Sequence, residues 1–458
     1  MSTRSSQEKL KVFVRVRPFL PSETNADNNK SRFARIASSA PVVQITDSKT
    51  LIYNPSELKT ILPVNRFTTT RTRVRYDQQY CFDECFDWNT SESTMFSQVA
   101  EPLLDSALEG HNSTLFAYGA TGCGKSHTVS SINERVGNAL FEKIKEQEGM
   151  FEYKVSMSYV QLYNEKLLDL IPDGKYQAHK SQMLNGLKLL EGSDRPSVVG
   201  LSSYDITCAE DIHTLCQKAY QVRCTAATKV NAQSSRSHAL LMLTIKCSSK
   251  LVAHDREATL TIIDLAGSER AQSTENRGVR LKEGAKINQS LLALGKCINA
   301  RARNQRFVPY RESKLTRLLR PCFEGQCKAS MIVCVSPSMI NFDETHYSLE
   351  YGQRVMCVTA PARKLGTQER KLEVIRELED KLKSSMLWRH ILVTGLVERY
   401  PAMKNVLRKH VDVADIPVKD LLDLLDSCVD CKSQEARSSP INVYENSISP
   451  VKRLRRVI

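Results

Sequence analysis

The chain has 458 residues, 41% hydrophobic and 25% charged, enough for one large core and a smaller appendage. No apolar run approaches the roughly 18–20 residues that cross a bilayer, and the polar N-terminus has no signal-peptide core, so membrane proteins are excluded and a soluble intracellular protein is expected. The formal net charge of +14 calls for an acidic partner, and the 14 cysteines, scattered through core-like runs such as Met331–Val335, fit a reduced compartment.

Between about residues 10 and 358, strand and helix patterns alternate, which predicts an α/β fold with a mixed sheet layered by helices. Ser22 to Lys30 reads as a polar loop. Ser48 to Tyr80, rich in Thr and Arg, reads as a hairpin or insertion at the sheet edge, where Arg71, Arg73 and Arg75 either touch a partner or guard an edge strand. Ser113-Thr-Leu-Phe-Ala-Tyr118 predicts a short buried strand, and Val129, Ile132, Val136, Leu140 and Ile144 recur at helical spacing. Between the two stands Gly119-Ala120-Thr121-Gly122-Cys123-Gly124-Lys125-Ser126. Strand, glycine loop and helix are the context a phosphate loop requires. Backbone N–H groups curl around a β-phosphate, Lys125 neutralises the β/γ oxygens, and Ser126 ligates Mg²⁺. Cys123 in this loop is either oxidisable or a passive small residue.

Asn231-Ala-Gln-Ser234-Ser235-Arg236-Ser237-His238 follows. Ser234 and Ser235 offer hydroxyls and backbone groups to a γ-phosphate, Mg²⁺ and attacking water, while Arg236 offers a fork to a carboxylate. Ala258–Ile263 predicts a strand that delivers Asp264 to its carboxyl end, where doubly wound sheets bind ligands. Asp264 then holds a water on Mg²⁺, Gly267 turns its N–H toward the γ-phosphate, and Glu269 pairs with Arg236. Such a pair is worth only about 0–1 kcal/mol unless closure buries it.

Further along, Lys296, Arg301, Arg303, Arg306, Arg311, Lys314, Arg317 and Arg320 crowd one stretch that only Glu312 opposes. This patch suits an acidic polymer and loses affinity with salt. Asn341 to Val358 predicts a last helix, with Pro361 at the boundary. Beyond it, Ile375, Leu378 and Leu382 supply less than two clean heptads, so the helices up to Asp430 are either a small helical unit or a docking surface for a partner chain. Cys428 and Cys431 lack a second ligand pair for zinc. Ser433 to Ile458 is a polar tail in which Ser449-Pro450 suits a cell-cycle kinase, and Lys452 to Arg456 is either a nuclear address or a solvated basic end.

In this order the motifs resemble the kinesin motor domain, across roughly residues 8–358. Val12-Phe-Val-Arg15-Val-Arg17-Pro18 is similar to the family's first strand, Tyr80 to Asp87 to its Phe-Asp-x-Val-Phe segment, and Val160 to Glu165 to the strand ending in Tyr-Asn-Glu. Lys282 to Gly295 resembles the relay helix, and Val308 to Leu319 the loop and helix that contact tubulin. The resemblance implies a P-loop motor core with a central mixed sheet of about eight strands and helices on both faces, with the motor at 1–358, neck linker and helical region at 359–432 and tail at 433–458. It implies ATP and Mg²⁺ on Lys125 and Ser126, with Arg17, Pro18 and His127 around the base. Ser235 and Asp264 join Ser126 at the metal, and Ser234, Ser235, Arg236, Gly267 and Glu269 close the site. Lys282, Lys296, Arg306, Arg311, Lys314 and Arg317 face the microtubule. The phosphate-loop variant is most similar to fungal length-regulating, plus-end kinesins. Departures are the nearly absent loop after His127-Thr128 and a poor neck-linker match from Gln353. A cytoplasmic, cytoskeletal motor is expected, with a nuclear or spindle location left open. The alternatives are a nucleotide-switched microtubule adaptor and, further behind, a DNA-associated P-loop ATPase.

Overall fold

The computed structural model describes residues 10–24, 40–54, 77–149, 151–172, 186–192, 196–229, 236–249, 255–269 and 279–358. All lie within Met1–Arg363, the first of two units into which the chain divides. Ser234, Ser235, Arg71, Arg73, Arg75, the Cys428/Cys431 pair, the helices expected after Pro361 and the basic tail lie outside the described residues.

In chain order, β1 (Lys11–Val16) is followed by β2 (Val43–Ile45), β3 (Thr50–Tyr53), β4 (Gln78–Cys81) and β5 (Glu84–Phe86), then by helices α1 (Glu92–Val99) and α2 (Glu101–Leu108). β6 (Ser113–Tyr118) leads into α3 (Lys125–Gln147); β7 (Phe151–Tyr163), β8 (Lys166–Asp169), β9 (Lys188–Glu191), β10 (Pro196–Val199) and β11 (Tyr204–Ile206) precede α4 (Ala209–Lys229). β12 (His238–Ser249) and β13 (Asp255–Asp264) are followed by α5 (Val279–Ala302), α6 (Lys314–Leu318), α7 (Arg320–Phe323), β14 (Lys328–Val335) and α8 (Phe342–Met356).

Among the described residues the main sheet runs β11-β7-β12-β13-β6-β14-β1-β5, an eight-strand path to which β8 adds a ninth strand by pairing with β7. The expected mixed sheet is therefore present, and its two halves differ. β13, β6, β14, β1 and β5 are parallel, whereas β11, β7, β8 and β12 pair antiparallel. β6 lies inside the parallel half with all six residues buried, as a strand covered on both faces must be. Leu115 and Ala117 belong to one apolar cluster and Phe116 and Tyr118 to the other, so the period-two side chains of a single strand feed both layers of core. Each such buried aliphatic or aromatic side chain contributes about 1.5–3 kcal/mol.

α3 starts where Gly124 adopts φ 89°, a left-handed turn that a side chain would strain. It then runs without interruption for 23 residues and buries Val129, Ile132, Val136 and Leu140, in keeping with the expected lack of an inserted loop. β2, β3 and β4 form a separate three-stranded sheet at the place expected for an edge insertion. The expectation of a plain polar loop from Ser22 is corrected at its start: Pro21–Thr24 is one helical turn. The reason is tertiary, because Arg17 grips Glu23 through two hydrogen bonds of 2.6 and 2.7 Å and both side chains are buried.

Candidate nucleotide-binding site

The parallel register sets β6 and β13 side by side so that Asp264 lies opposite Ala117, and both chains leave the sheet at the same edge. The phosphate loop therefore emerges directly beside Asp264. Ser126 donates its hydroxyl to Asp264 Oδ2 at 2.8 Å, closing the space between the two motifs. Lys125 is buried and its Nζ donates to Ala120 O at 2.8 Å, folded back over its own loop. Gly119 (φ 146°) packs so near the β14 backbone that a Cβ would overlap the carbonyl of Cys334. The glycine is required by that approach as well as by the turn.

β1 braces the loop from the other side. Arg17 Nε donates to Gly122 O at 2.7 Å, and Arg15 Nη1 to Thr128 Oγ1 at 2.6 Å. Thr128 in turn donates to Gly124 O at 2.8 Å. The Arg17 guanidinium holds the Glu23 carboxyl below its ordinary range. Of the three residues expected around a base, Arg17 is thus buried and committed to the loop, whereas Pro18 and His127 are exposed at its rim. Cys123 is buried and its thiol is pushed up by that burial, which favours the passive reading over a reactive one.

The segment after β13 clasps the same loop. Glu269 accepts from Thr121 N–H at 2.9 Å and from the Thr121 hydroxyl at 2.6 Å, while Ser268 N–H donates to Gly119 O at 3.1 Å. A Cβ on Gly267 would overlap both the Glu269 carboxylate and the Thr121 hydroxyl, so this glycine is a steric requirement of the clasp. Arg236, just before β12, is half-buried.

Two buried groups not singled out in the sequence complete the site. Arg223 on α4 lies 3.3 Å from Asp264 Oδ2, with both side chains almost fully buried. Its signal was a cation ending a stripe of Ile212, Leu215 and Ala219 on an amphipathic helix, where an apolar residue is the ordinary occupant. The other is His238, the last residue of the Asn231–His238 run. Its Nδ1 accepts from Ala266 N–H at 3.0 Å, and its Nε2 is 2.9 Å from Ser290 Oγ on α5. The first contact leaves the proton on Nε2, to be donated to Ser290. Burial, with the nearby Arg223 and Lys125 charges, pushes His238 down to about 3, so it is neutral.

Asp264 Oδ1 is buried without a hydrogen-bond partner. An orphaned carboxylate oxygen costs free energy unless something meets it. Beside Ser126, it suits a hydrated divalent cation, for which oxygen donors are the right chemistry. A cavity of about 470 Å³ between α3 and α4 is lined by Ser126, Tyr159, Arg223 and Asp264. The residues present fit Mg²⁺ and a nucleotide phosphate.

The basic stretch lies elsewhere, on the C-terminal half of α5 and the segment after it. Arg303, Arg306 and Arg311 are exposed, as is Lys296, and Lys282 lies on α5. α6 begins with a capping box on Ser313, and Lys314 N–H donates to Glu165 Oε2 at 2.7 Å. Glu312 is not the sole opponent of these charges. Glu191 on β9 pairs with Arg317 at 2.9 Å and Arg311 at 3.5 Å, and Glu324 pairs with Arg320 at 2.9 Å. Glu191 is remote in sequence, so only the fold brings it there.

A phosphate loop between parallel strands, with a strand-end aspartate on its serine, defines a P-loop nucleotide-binding protein. Residues 15–358 match the model of the kinesin motor domain, and the chain belongs to that family. It is 38% identical over 381 residues to Kinesin-like protein 6 of Schizosaccharomyces pombe, covering 75% of this chain and 48% of that one. It is 40% identical over 359 residues to Kinesin-like protein KIP3 of Saccharomyces cerevisiae, covering 72% of this chain and 44% of that one. The chain thus spans about half the length of the curated relatives it matches. A solved structure titled as a fast kinesin superposes with a TM-score of 0.65 at 29% identity, over 78% of this chain and 94% of that one. No helix among the described residues is long and apolar enough to cross a membrane.

Proposed function

We propose that this chain is a microtubule-stimulated ATPase that couples hydrolysis to plus-end-directed movement or force on microtubules, in the cytoplasm and on the spindle. The observation that carries the reading is that one short segment touches both the phosphate loop and α5: Glu269 holds Thr121, and three residues earlier Ala266 N–H donates to His238, which meets Ser290 on α5. A change at the γ-phosphate that shifts the backbone of residues 266–269 therefore reaches the helix whose far end carries the basic face.

The phosphates of ATP rest on the loop N–H groups and on Lys125, which exchanges Ala120 O for a phosphate oxygen. Ser126, Ser235 and Asp264 through water would hold Mg²⁺, which supplies charge neutralisation for the β- and γ-phosphates. Ser234, Ser235 and the Gly267 N–H close over the γ-phosphate and orient water. Arg236 pairs with the Glu269 carboxylate and completes the closed site. Catalysis is positioning and electrostatic stabilisation, since phosphoryl transfer asks little covalent chemistry of the protein. Once the γ-phosphate leaves, Gly267 and both serines lose a ligand, and the release passes through His238 to α5. Arg17, Pro18 and His127 flank the base. Lys282, Lys296, Arg306, Arg311, Lys314 and Arg317 meet the acidic polymer, ahead of nucleic acid because the phosphate-site motifs are those of a motor.

ATP turnover measured with microtubules, with DNA and with neither tests this. Stimulation by microtubules is expected. An unchanged rate overturns the motor reading, leaving the adaptor if filaments still bind, and stimulation by DNA alone favours the third reading.

A further inference from the structure

α7 and β14 are joined by a turn that the sequence writes as Cys322-Phe-Glu-Gly-Gln-Cys327. Gln326 N–H donates to Pro321 O at 3.0 Å, and Gly325 takes φ 73°, a left-handed conformation that turns the chain back sharply. The closure brings the next residues together. Cys327 S–H donates to Cys322 Sγ at 3.3 Å, and the Thr114 hydroxyl lies 3.8 Å from Cys327 Sγ. Both cysteines line a cavity of about 370 Å³, together with Lys11, Asp83, Lys328 and the apolar side chains of α2. Neither cysteine belongs to the nucleotide site or to the basic face.

We propose that Cys322 and Cys327 are a hydroperoxide-sensitive dithiol, a modification site that closes to a disulfide between α7 and the turn that leads into β14. The hydrogen bond that Cys322 Sγ accepts from the Cys327 thiol draws Cys322 below the ordinary thiol range, so it is the attacking sulfur. By contrast, burial pushes Cys85 and Cys297 up to about 12 and Cys334 up to about 11, which leaves them inert. The Cys322 thiolate attacks one oxygen of hydrogen peroxide; its O–O bond breaks, hydroxide leaves, and a sulfenic acid remains. Cys327 then attacks the sulfenic sulfur, the S–S bond forms, the S–O bond breaks and water departs with the thiol proton. Two thiols and one peroxide become one disulfide and two waters. The sulfurs need only close to about 2.0 Å, within a turn already folded. A reducing compartment reverses the bond, as expected for a transient signal rather than a structural staple.

The test uses the full chain, reduced and then exposed to hydrogen peroxide. Remaining thiols are alkylated after unfolding, and peptides are mapped without reduction. The peptide holding both cysteines is expected to lose two hydrogens and to resist alkylation until reduced. It should react about tenfold faster than Cys85, Cys297 or Cys334. Equal rates at all five cysteines, or a pair that stays fully alkylatable, would overturn the proposal. In a Cys327→Ser variant, dimedone should trap a sulfenic acid on Cys322; failure to trap it while wild type still forms the disulfide would overturn the assigned attacking sulfur.

Discussion

The phosphate site and the basic face both concentrate positive charge, but one does so inside the protein and the other against water. At the phosphate site Lys125, Arg17 and Arg223 are buried, and each is held by a partner at hydrogen-bond or ion-pair distance. On the basic face, Arg311 is almost wholly exposed, and its contact with Glu191 spans 3.5 Å. A buried charge that loses its partner is costly, whereas an exposed pair is worth about 0–1 kcal/mol. The first region should respond steeply to single substitutions and weakly to salt. The second should respond weakly to any one residue and steeply to salt.

The largest expected effect is Lys125→Ala, which removes the cation proposed for the β/γ oxygens. Turnover should fall at least about 100-fold, and nucleotide titration should show that binding weakens too. A loss of only a few fold would put the phosphates elsewhere. Gly267→Ala comes next. Its methyl group would strike Glu269 and Thr121, so the clasp must open before any nucleotide effect arises. Binding of ATP should persist while turnover drops about 100-fold, a split that pre-steady-state kinetics can read. Normal filament gliding by this variant would contradict the proposed coupling.

Replacing Lys314 and Arg317 together with Ala should raise the half-saturating microtubule concentration about tenfold and flatten its dependence on salt. An unchanged salt slope would move the interface off α6. Glu191→Gln should act in the opposite sense and more mildly, by about two- to threefold, because it releases Arg311 and Arg317 from a competing carboxylate. Co-sedimentation at two salt concentrations measures both.

His238 joins the two regions and gives the comparison a pH axis. It is neutral in the fold, held down to about 3, but takes up a proton near 6.5 once unfolded. The unfolded chain therefore binds more protons between these values. Stability contributed by neutral His238 is present above pH 6.5 and is lost as pH falls toward 3, at about 1.4 kcal/mol per pH unit at most. Thermal melts at pH 7 and pH 5 should show this slope. In His238→Gln, whose amide can accept from Ala266 and donate to Ser290, the slope should shrink.

Much of the phosphate site was legible because its geometry is encoded by neighbours in sequence. Gly119, Gly124, Lys125 and Ser126 specify a loop and a helix start within a few residues, and the apolar run before Asp264 delivers that carboxylate to a strand end. Arg223 was missed although its helix was amphipathic, since a buried arginine is intelligible only once Asp264 is opposite it. The bonds of the Arg17 guanidinium to Gly122 and Glu23 join separate segments of the chain, so the fold alone shows them. The basic patch was visible as a run of charge, but Glu191 and Glu165, which pair with it and cap α6, come from distant hairpins.

Sequence alone determined the strands that lead into the phosphate loop and Asp264, the loop itself and the family, because buried strands need apolar runs and a phosphate cradle needs glycines at set positions. Tertiary structure decided which carboxylate holds which cation, that His238 bridges Ala266 to Ser290, and that Cys322 meets Cys327. The physical reason is range. Backbone conformation and hydrophobic period act over a few residues, while hydrogen bonds and ion pairs depend on distances between atoms that only the closed sheet and its packed helices bring together.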